Sequence, residues 1–332
     1  MKPITFAILK LLSDGQFHSG SKIAQDLSIS RASVSNALHD IDDYGVILYR
    51  VTGKGYRWIN PLQWLDNVAI NQHLAEDSSR FRVSIYETVE STNTTLLDAK
   101  KEKNFDQQII DVAVAELQTK GRGRRGRSWL SGLGDSLTFS LSWQFQQGVN
   151  ALAGLSLAVG VAIIRAFKLL GIQELALKWP NDLLLDTSKL GGVLIELQGE
   201  VQGPANAVIG IGINLKLSDK IKHRIDQDIA DLYAITQTSM DRNKLLALLL
   251  LEIVTVLEIF ANEGFSPFKH EWISYHAYEA REVEVLLPAG LIERGIVRGI
   301  SDDGSLRLET ESVLKYFHCG EISMRKINQA MS

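Results

Sequence analysis

The stretch GRGRRGRSW, Gly121–Trp129, limits most strongly how this chain can fold. It interleaves four arginines with three glycines. Glycine disfavours regular helix and strand, because it loses the most backbone entropy on folding, and it permits left-handed backbone and close approach to a ligand. Arginine adds planar, permanently charged donors for phosphate and carboxylate oxygens. The stretch therefore predicts a basic loop that is disordered when empty and closes over an anion.

The flanking segments favour a substrate lid over a solvated basic tail. An apolar, strand-like run, Ile110–Glu116, precedes the loop, and a second run, Leu137–Trp143, follows it. The loop is therefore held at both ends in the middle of the chain. It is not a Walker loop, because no Gly-Lys-Ser/Thr follows at the required spacing. The net charge of −4 confines any contact with nucleic acid to a local patch.

Composition restricts the class of protein. A length of 332 residues, 45% of them hydrophobic, predicts a globular protein of two or three domains. One cysteine, Cys319, excludes a disulfide framework and favours a reducing, cytoplasmic compartment. The N-terminus lacks the uninterrupted apolar run and cleavage site of a signal peptide. Charged residues interrupt the apolar runs Leu152–Leu170 and Leu245–Phe260, which predict buried helices and no membrane span.

The first sixty residues or so predict a helix-turn-helix followed by a β-hairpin. Apolar periodicity predicts helices over Ile4–Leu12, from Ser19 or Ser21 to Leu27, and over Arg31–Tyr44, with Ser30 as the cap of the third. The turn Gly53–Gly55 then joins two strand-like runs into a hairpin with a basic tip. The spacing alone also leaves open a helical protein-interaction module. The residues predicted to contact DNA lie in Gly20–His39 and the hairpin tip: Arg31, Ser33, Asn36, His39 and Lys54.

The middle of the chain predicts an α+β domain. Leu62–Asp77 is predicted as a linker with some helical character. Short strand-like runs and one long apolar helix then predict a mixed sheet covered on one face by helices. The predicted strands are Phe81–Thr88, Ile110–Leu117, Leu137–Trp143, Leu175–Trp179, Leu183–Leu185, Gly191–Leu197 and Ala207–Leu215.

Three further motifs fall at the ends of these strands. Lys178–Asp182 (KWPND) is a stiff turn that carries a cation and an acid, and Lys189–Gly192 (KLGG) places a lone lysine beside two glycines. Gly210–Asn214 (GIGIN) is a strand whose glycines leave space for a ligand or for another part of the chain. Each motif alone is weak, because a Lys-Gly-Gly turn or a Gly-x-Gly strand usually serves packing. Their combination and order are specific.

The last part of the chain predicts a small β domain. Asp241 is predicted to cap a helix ending near Asn262, and Pro267–Tyr275 is predicted as another helix. Period-two alternation then predicts five strands separated by glycine turns, which is typical of an SH3-like barrel. A module that only adds stability is the alternative. The predicted strands are Val283–Leu287, Glu293–Ile300, Leu306–Glu309, Val313–Phe317 and Ile322–Arg325.

The order of these motifs closely resembles that of the biotin protein ligases. ESTN (Glu90–Asn93), AELQTKGRGRRGRSW, KWPND, KLGG and GIGIN match the catalytic domain, and the match of the arginine loop is highly specific. The text from Phe17 to Val46, followed by GKGY, resembles the winged-helix domain of biotin repressors, so the similarity covers nearly the whole chain. It implies a multidomain α+β protein. The parts are a winged helix-turn-helix domain (1–62), a biotin/lipoate-ligase-like catalytic domain (63–277) and an SH3-like C-terminal domain (278–332).

The resemblance implies both an enzyme and a repressor. The family uses ATP and Mg²⁺ to convert biotin to biotinyl-5′-AMP, and transfers biotin to a lysine of the biotin carboxyl carrier protein of acetyl-CoA carboxylase. The adenylate then acts as corepressor, so that a homodimer binds operator DNA of the biotin biosynthesis operon. A lipoate-type ligase and a ligand-sensing repressor without catalysis are the alternatives. No metal ligand is assigned in the chain, because Mg²⁺ is implied by ATP alone.

Site residues follow from the matching motifs. Lys189, Arg124 and Asp182 are the expected catalytic residues. The residues expected to bind biotin are Ser91, Thr92, Asn93, Gln118, Arg122, Gly123, Arg124, Lys189 and Gly192. Those expected to bind ATP or the adenylate are Arg122, Arg124, Arg127, Trp129, Lys178, Asn181 and Asn214. The family's aromatic cover for the adenine has no clear match, and Ile229 or Tyr233 could take its place.

Overall fold

The structure is a computed structural model that describes residues 1–102, 109–287, 290–311, 313–318 and 323–326. Cys319 and the predicted start of the last strand, Ile322, lie outside these residues. The chain forms a small N-terminal unit with a two-stranded hairpin, a central seven-stranded sheet and a C-terminal five-stranded sheet. This arrangement confirms the predicted multidomain α+β fold.

The N-terminal unit is the predicted winged helix-turn-helix. Helices α1, α2 and α3 span Pro3–Leu11, Gly20–Asp26 and Arg31–Ala37, and strands β1 and β2 of the wing span Leu48–Val51 and Gly55–Trp58. Ser19 and Ser30 cap α2 and α3 as predicted, because their hydroxyl oxygens accept hydrogen bonds from the Lys22 and Ser33 amides at 3.1 and 3.0 Å.

The predicted length of the third helix is wrong, because α3 ends at Ala37 and not at Tyr44. Side chains from elsewhere take up its terminal carbonyls. Thr5 Oγ1 donates to the Ala37 carbonyl at 3.0 Å, and Arg50 Nη2 donates to the Leu38 carbonyl at 2.6 Å. A separate 3₁₀ turn then covers Ile41–Tyr44 and ends at Gly45, whose φ is 81°. His39 therefore lies in a turn beyond the helix.

The helical character predicted for Leu62–Asp77 is confirmed, but its helix packs in the core of the central domain instead of forming a linker. The segment contains helix α4, Asn67–Leu74, capped by Asp66, whose carboxylate accepts a hydrogen bond from the Ala69 amide at 2.8 Å. Ile70 and Leu74 are fully buried in the core of the central domain. The sequence pattern indicated the helix but not its burial, because the polar face of α4 masks a short apolar stripe.

The central domain confirms the predicted mixed sheet. Its strands run in the order β3-β4-β7-β11-β10-β9-β8, with β3 and β4 parallel and the other neighbours antiparallel. Strands β5 and β6 form a separate two-stranded ladder. The strands are β3 Phe81–Val89, β4 Ile110–Gln118, β5 Gly121–Arg122, β6 Ser128–Trp129, β7 Ser136–Phe145, β8 Leu175–Lys178, β9 Asp182–Leu185, β10 Ser188–Gly199 and β11 Ala205–Asn214.

Helices cover both faces of this sheet, so the prediction of helices on one face was incomplete. Two long helices, α6 and α9, pack with Val112 and Val114 on one face, whereas Leu96 of α5 packs against Ala113 on the other. By length and composition α9 could cross a membrane, but Leu249, Leu250 and Ile253 are buried in the protein core. The helices are α5 Thr92–Glu102, α6 Leu155–Leu169, α7 Asp219–Lys222, α8 Tyr233–Thr236, α9 Arg242–Glu263 and α10 Lys269–Tyr275.

The GIGIN motif places its isoleucines and its glycines on opposite faces of the central sheet. Ile209, Ile211 and Ile213 alternate along β11 and are buried in the main core. Gly210 and Gly212 therefore lie on the opposite face of the sheet, because successive residues of a strand point to opposite sides. Their lack of side chains leaves a shallow floor on the face away from α6 and α9.

The C-terminal unit is an antiparallel sheet in the order β15-β14-β13-β12-β16, as expected for the SH3-like domain. Alternating residues such as Val283 and Val285 are fully buried. Trp179 Nε1 of the KWPND turn donates a hydrogen bond to the Gly304 carbonyl at 3.1 Å, which joins this unit to the central domain. The strands are β12 Glu282–Leu286, β13 Ile292–Ile300, β14 Leu306–Glu309, β15 Leu314–Phe317 and β16 Ser323–Lys326.

A buried ion pair joins the segment after the wing to the central sheet. Glu116 Oε2 of β4 lies 2.5 Å from Arg242 Nη1 of α9, and the two side chains are 3% and 4% exposed. Glu116 Oε1 accepts a hydrogen bond from the Leu65 amide at 2.7 Å, and Arg242 Nη1 donates to the Gln63 carbonyl at 2.9 Å. The pair therefore fixes residues 63–65 to the central domain.

A second contact joins the winged helix to the segment that follows β11. Gly45 has a φ of 81°, and a Cβ placed on it would lie 2.6 Å from Ser218 Oγ. Asp135 Oδ2 accepts hydrogen bonds from the Ser218 amide and hydroxyl at 3.2 and 3.1 Å. Leu117 and Leu133 of the central domain also belong to the apolar core of the N-terminal unit.

Candidate active site

One cavity of about 860 Å³ lies on the glycine-lined face of the central sheet. Residues from the arginine loop, α5, β4 and the KWPND, KLGG and GIGIN motifs converge there. It brings together all the side chains and glycines predicted to act on or bind a ligand: Ser91, Thr92, Asn93, Gln118, Arg122, Gly123, Arg124, Arg127, Trp129, Lys178, Asn181, Asp182, Lys189, Gly192 and Asn214.

The arginine loop is a tight hairpin across this cavity. Gly121 pairs with Trp129 and Arg122 with Ser128, and the Gly123 amide donates to the Arg127 carbonyl at 2.7 Å. Between them Arg124–Gly126 forms a 3₁₀ turn with Arg125 in the left-handed region at a φ of 58°. Gly126 follows in the left-handed region at a φ of 70°, and the hairpin is more regular than the disordered loop that the sequence predicted.

Two arginines of the loop contact different walls. Arg122 Nη2 lies 2.5 Å from Glu196 Oε2 of β10. Arg124 Nη1 donates a hydrogen bond to Asn181 Oδ1 of the KWPND motif at 3.3 Å. The outer side of the loop borders a second, more open cleft of about 1000 Å³ that includes Glu90, Lys120 and Glu196.

The opposite end of the cavity is built by the first turn of α5. Ser91, Thr92 and Asn93 are all buried. Gln118 Oε1 accepts hydrogen bonds from the Thr92 amide at 2.7 Å and from Thr92 Oγ1 at 3.2 Å. Ser140 Oγ lies 2.7 Å from Thr92 Oγ1 and 2.6 Å from Asn93 Oδ1. This end is a preorganised set of neutral donors and acceptors.

The cationic end combines two lysines and one acid. Lys189 Nζ lies 2.5 Å from Asp182 Oδ1, and Lys178 Nζ lies 3.9 Å from Asp182 Oδ2. The lysine side chains are only 16% and 23% exposed. A β-bulge between Lys189 and Gly191 sets the direction of the lysine. Two cations held in a sheltered site are suited to stabilising phosphate and carboxylate oxygens.

The floor explains why GIGIN needs glycine. A Cβ on Gly210 would lie 2.1 Å from Asn93 Oδ1, and one on Gly212 would lie 2.7 Å from Trp129 Cε2. The space beside these glycines is thus taken by an amide and an indole of the same chain. The indole nitrogen of Trp129 is buried and has no hydrogen-bond partner among the described residues.

The sequence reasoning missed several residues of the cavity. Residues 224–229, Tyr278 and Met324 also line it, and the last two come from the region after α10. Burial raises the pKa of the Tyr278 hydroxyl, with a smaller contribution from Asp182 in the same direction. Ile229 lines the cavity, whereas Tyr233 lies outside it beneath Lys216 Nζ, 4.0 Å from the ring centroid.

Glu196, which borders the outer cleft, was also missed, and a signal for it existed. It follows Gly192 by four residues on β10, so both lie on the same face of the strand. No cluster of three or more His, Cys, Asp or Glu side chains suited to a metal ion occurs in the described part of the chain.

The predicted DNA-contacting residues lie on the surface of the N-terminal unit. Arg31, Asn36 and Lys54 are exposed, and so is His39 in the turn after α3. Ser33 is half-buried, and its hydroxyl lies 2.9 Å from that of Ser30 at the cap. The first turn of α3 and the wing tip are thus free of the protein core.

Family models match all three units of the chain. The Biotin/lipoate A/B protein ligase family model matches residues 85–214, and a model of an HTH domain matches residues 5–57. A model of the biotin protein ligase C terminal domain matches residues 281–325. The matches fall on the central sheet, the winged helix and the last five strands.

Individual proteins are similar over almost the full length. The bifunctional ligase/repressor BirA of Salmonella typhimurium is 37% identical over 326 residues, which cover 97% of this chain and 98% of that protein. The protein of the same name from Escherichia coli is 36% identical and covers 97% of both chains. The solved biotin protein ligase of Aquifex aeolicus in complex with biotin and ATP is 31% identical, with a TM-score of 0.62, and covers 74% of this chain and 99% of its own.

Proposed function

This chain belongs to the family of bifunctional biotin ligases and repressors, and we propose from that premise how its cavity performs the ligation. The protein is an ATP-dependent biotin ligase whose helix-turn-helix domain also makes it a repressor. The observation that carries the mechanism is the gathering of a neutral polar end, a cationic end and an arginine hairpin around one cavity.

The first step joins biotin to ATP. A carboxylate oxygen of biotin attacks the α-phosphorus, the bond to the bridging oxygen breaks, and pyrophosphate leaves with biotinyl-5′-AMP remaining. Both reactants are anions, and charge on the phosphoryl oxygens must be stabilised in the transition state. Lys189 is the best-placed cation, since its ammonium is sheltered and its position is fixed by Asp182. Arg124 and Lys178 supply further positive charge.

Biotin is proposed to lie with its ureido group toward α5. The ureido group has two N–H donors and one carbonyl, which suits the mixture of hydroxyl and amide groups at Ser91, Thr92 and Gln118. Asn93 borders this end, but its amide is bonded within the protein. The valeryl tail then directs the carboxylate toward Lys189.

The second step transfers biotin to the carrier. The amine of a carrier lysine attacks the acyl carbon of the adenylate, and AMP leaves. Asp182 lies beside Lys189 at the cavity and is proposed to accept or orient the proton of the incoming amine. The biotin carboxyl carrier protein of acetyl-CoA carboxylase is the proposed acceptor.

Mg²⁺ is proposed to enter with ATP. Asp182, Asp226 and Asp228 line the cavity, but they do not form a metal cluster with the other described acids, and Asp182 is already engaged by lysine. This donor set fits an ion that is held mainly by phosphate oxygens and water, with one or two carboxylates, as is usual for Mg²⁺ with nucleotides.

Repression is proposed to follow adenylate binding. An anionic adenylate would neutralise the loop arginines and hold the hairpin closed over the cavity. The ordered loop would then favour a homodimer whose two winged helices bind two half-sites of operator DNA in the cytoplasm.

Gel shifts with Arg31→Ala and Lys54→Ala test the DNA surface. Each should weaken binding and lower the slope of log affinity against log salt by about one, whereas unchanged shifts would remove α3 and the wing from the interface.

The ligase mechanism is tested by replacing Lys189. Lys189→Ala should lower pyrophosphate release by several orders of magnitude while the protein stays folded by circular dichroism, because the transition state loses its best-placed cation. Lys10→Ala, a distant exposed lysine, is the matched control. Near-normal pyrophosphate release by folded Lys189→Ala protein would contradict the assigned role. Repeating the assay with lipoate in place of biotin distinguishes a biotin ligase from a lipoate ligase, the two substrate classes that the family model covers.

A further inference from the structure

Glu196 connects the rigid sheet to the arginine hairpin through a single carboxylate oxygen. Its Oε2 lies 2.8 Å from Asn93 Nδ2 and 2.5 Å from Arg122 Nη2. The side chain is 28% exposed and borders the outer cleft rather than the main cavity. None of the motifs used to assign the active site includes it, and it has no direct route to the reacting atoms.

The Asn93 side of this connection is rigid. Asn93 is buried, its Oδ1 lies 2.6 Å from Ser140 Oγ of β7, and its Nδ2 also donates to the Leu194 carbonyl at 3.3 Å. It fills the space left by the bare backbone of Gly210. Three strands therefore hold the amide that bonds Glu196, so the carboxylate is fixed before a ligand arrives.

The Arg122 side belongs to the hairpin. Arg122 pairs with Ser128, and the next residue, Gly123, bonds the Arg127 carbonyl. A guanidinium held by Glu196 thus fixes one strand of the hairpin, and through the ladder it fixes the other. Arg124, two residues on, then reaches Asn181 on the opposite wall. Arg122 contacts the protein while Arg124 remains at the cationic end.

We propose that Glu196 is a positioning residue of the ligase, which holds the arginine hairpin over the cavity through Arg122. The inference rests on the proposed biotin-ligase function. The two arginines then have different roles. Arg122 is a strut, a side chain that connects the hairpin to the sheet, and Arg124 is the arginine that faces the anionic substrate. Glu196 lowers the entropy that the hairpin must lose when biotin and ATP bind.

Simple electrostatics predicts the opposite effect of removing Glu196. Loss of an acid beside the loop leaves one more uncompensated positive charge there, and that charge should attract the biotin carboxylate and lower the KM for biotin. Loss of a strut instead leaves the hairpin untethered and raises the KM. The sign of the change in KM therefore separates the two roles.

The experiment compares Glu196→Gln with Glu90→Gln in biotin-dependent pyrophosphate release. Glu90 is a matched control, because it borders the same outer cleft and pairs with Lys120 at 2.7 Å, with the two side chains 63% and 71% exposed. Glu196→Gln should raise the KM for biotin by about tenfold with a smaller change in kcat, as expected when binding is weakened and chemistry is retained. Limited proteolysis should also cut its hairpin faster. Glu90→Gln should change neither.

A double-mutant cycle with Arg122→Gln tests whether Glu196 acts through that arginine. The double variant should bind biotin as weakly as either single variant, since both remove the same strut. An unchanged or lowered KM for Glu196→Gln, or additive effects in the cycle, would overturn the inference. Failure of the proposed function is separate, because it would appear as a wild-type protein that releases no pyrophosphate with biotin.

Discussion

Two arginine–glutamate pairs use the same chemistry in different surroundings. Arg242 and Glu116 are 4% and 3% exposed at the junction of residues 63–65 with the central sheet. Arg122 and Glu196 are 41% and 28% exposed beside the active site. Both pairs have an N–O distance of 2.5 Å, so distance alone does not distinguish them.

The difference between the pairs lies in what replaces a broken contact. Water can solvate Arg122 and Glu196 if their contact is lost, so breaking this pair leaves no uncompensated charge in the core. Arg242 and Glu116 have no such solvent, and Arg242 Nε and Nη2 already lie buried without partners among the described residues. The buried pair holds two parts of the chain in one arrangement, because an uncompensated buried charge is strongly unfavourable.

Breaking the buried pair should have the largest effect. Glu116→Gln should lower the free energy of unfolding by about 3–5 kcal/mol, because it leaves the Arg242 charge uncompensated in the core. Glu196→Gln should lower it by less than about 1 kcal/mol, as is usual for exposed pairs. Urea denaturation of both variants measures the two values. Equal losses would abolish the distinction between the pairs.

Asp135 extends the comparison to a buried acid that has hydroxyl and amide donors in place of an arginine. Burial raises the pKa of Asp135 to about 6, with hydrogen bonds from Ser218 opposing the shift. The folded state therefore binds this proton more tightly than the unfolded state, whose value is 3.8. The stabilisation is fully present below pH 3.8 and is lost as the pH rises through 6.

Asp135→Asn should remove this pH dependence. The free energy of unfolding of the wild type, minus that of the variant, should fall by about 2.4 kcal/mol between pH 4 and pH 7. Urea titrations at intervals across this range provide the measurement. A difference that stays constant, or that rises with pH, would show that the Asp135 carboxylate is not desolvated at the junction.

The smallest effect is expected for an exposed pair between the winged helix and the sheet edge. Lys10 Nζ lies 2.7 Å from Glu87 Oε1, with the side chains 51% and 39% exposed. Glu87→Gln should change the free energy of unfolding by less than about 1 kcal/mol. The change should vanish in about 0.5 M salt, because salt screens exposed charges. A loss of unfolding free energy that persists at high salt would show that this pair behaves like the buried pair Arg242–Glu116.

The sequence predicted which residues gather around the cavity better than it predicted the contacts between units. The site motifs are local, and alternation along GIGIN separates a bare face from an apolar one without knowledge of distant residues. The end of α3 depends on Thr5 and Arg50, which are remote in sequence. The role of residues 63–65 likewise depends on Glu116 and Arg242. Local periodicity carries no information about such partners. The predicted length of the third helix was therefore wrong, and the burial of the segment predicted as a partly helical linker was missed.

The active-site residues show the same limit at shorter range. Lys189 and Asp182 could be singled out as residue types suited to the chemistry, but their contact depends on the pairing of β9 with β10 and on the bulge in β10. Asn93 was predicted to bind ligand from its motif alone. Its buried contacts with Ser140 and Glu196 became apparent only when the strands were assembled.

Leu117 and Leu133 bear on how this protein could be divided. They belong to the central domain by sequence, yet they complete the apolar core of the winged helix. A catalytic fragment that begins after residue 62 would expose both leucines to water and promote self-association. A ligase without the DNA-binding unit would therefore need polar residues at these two positions. The apolar character of Leu117 and Leu133 in the catalytic domain thus reflects their contact with the winged helix.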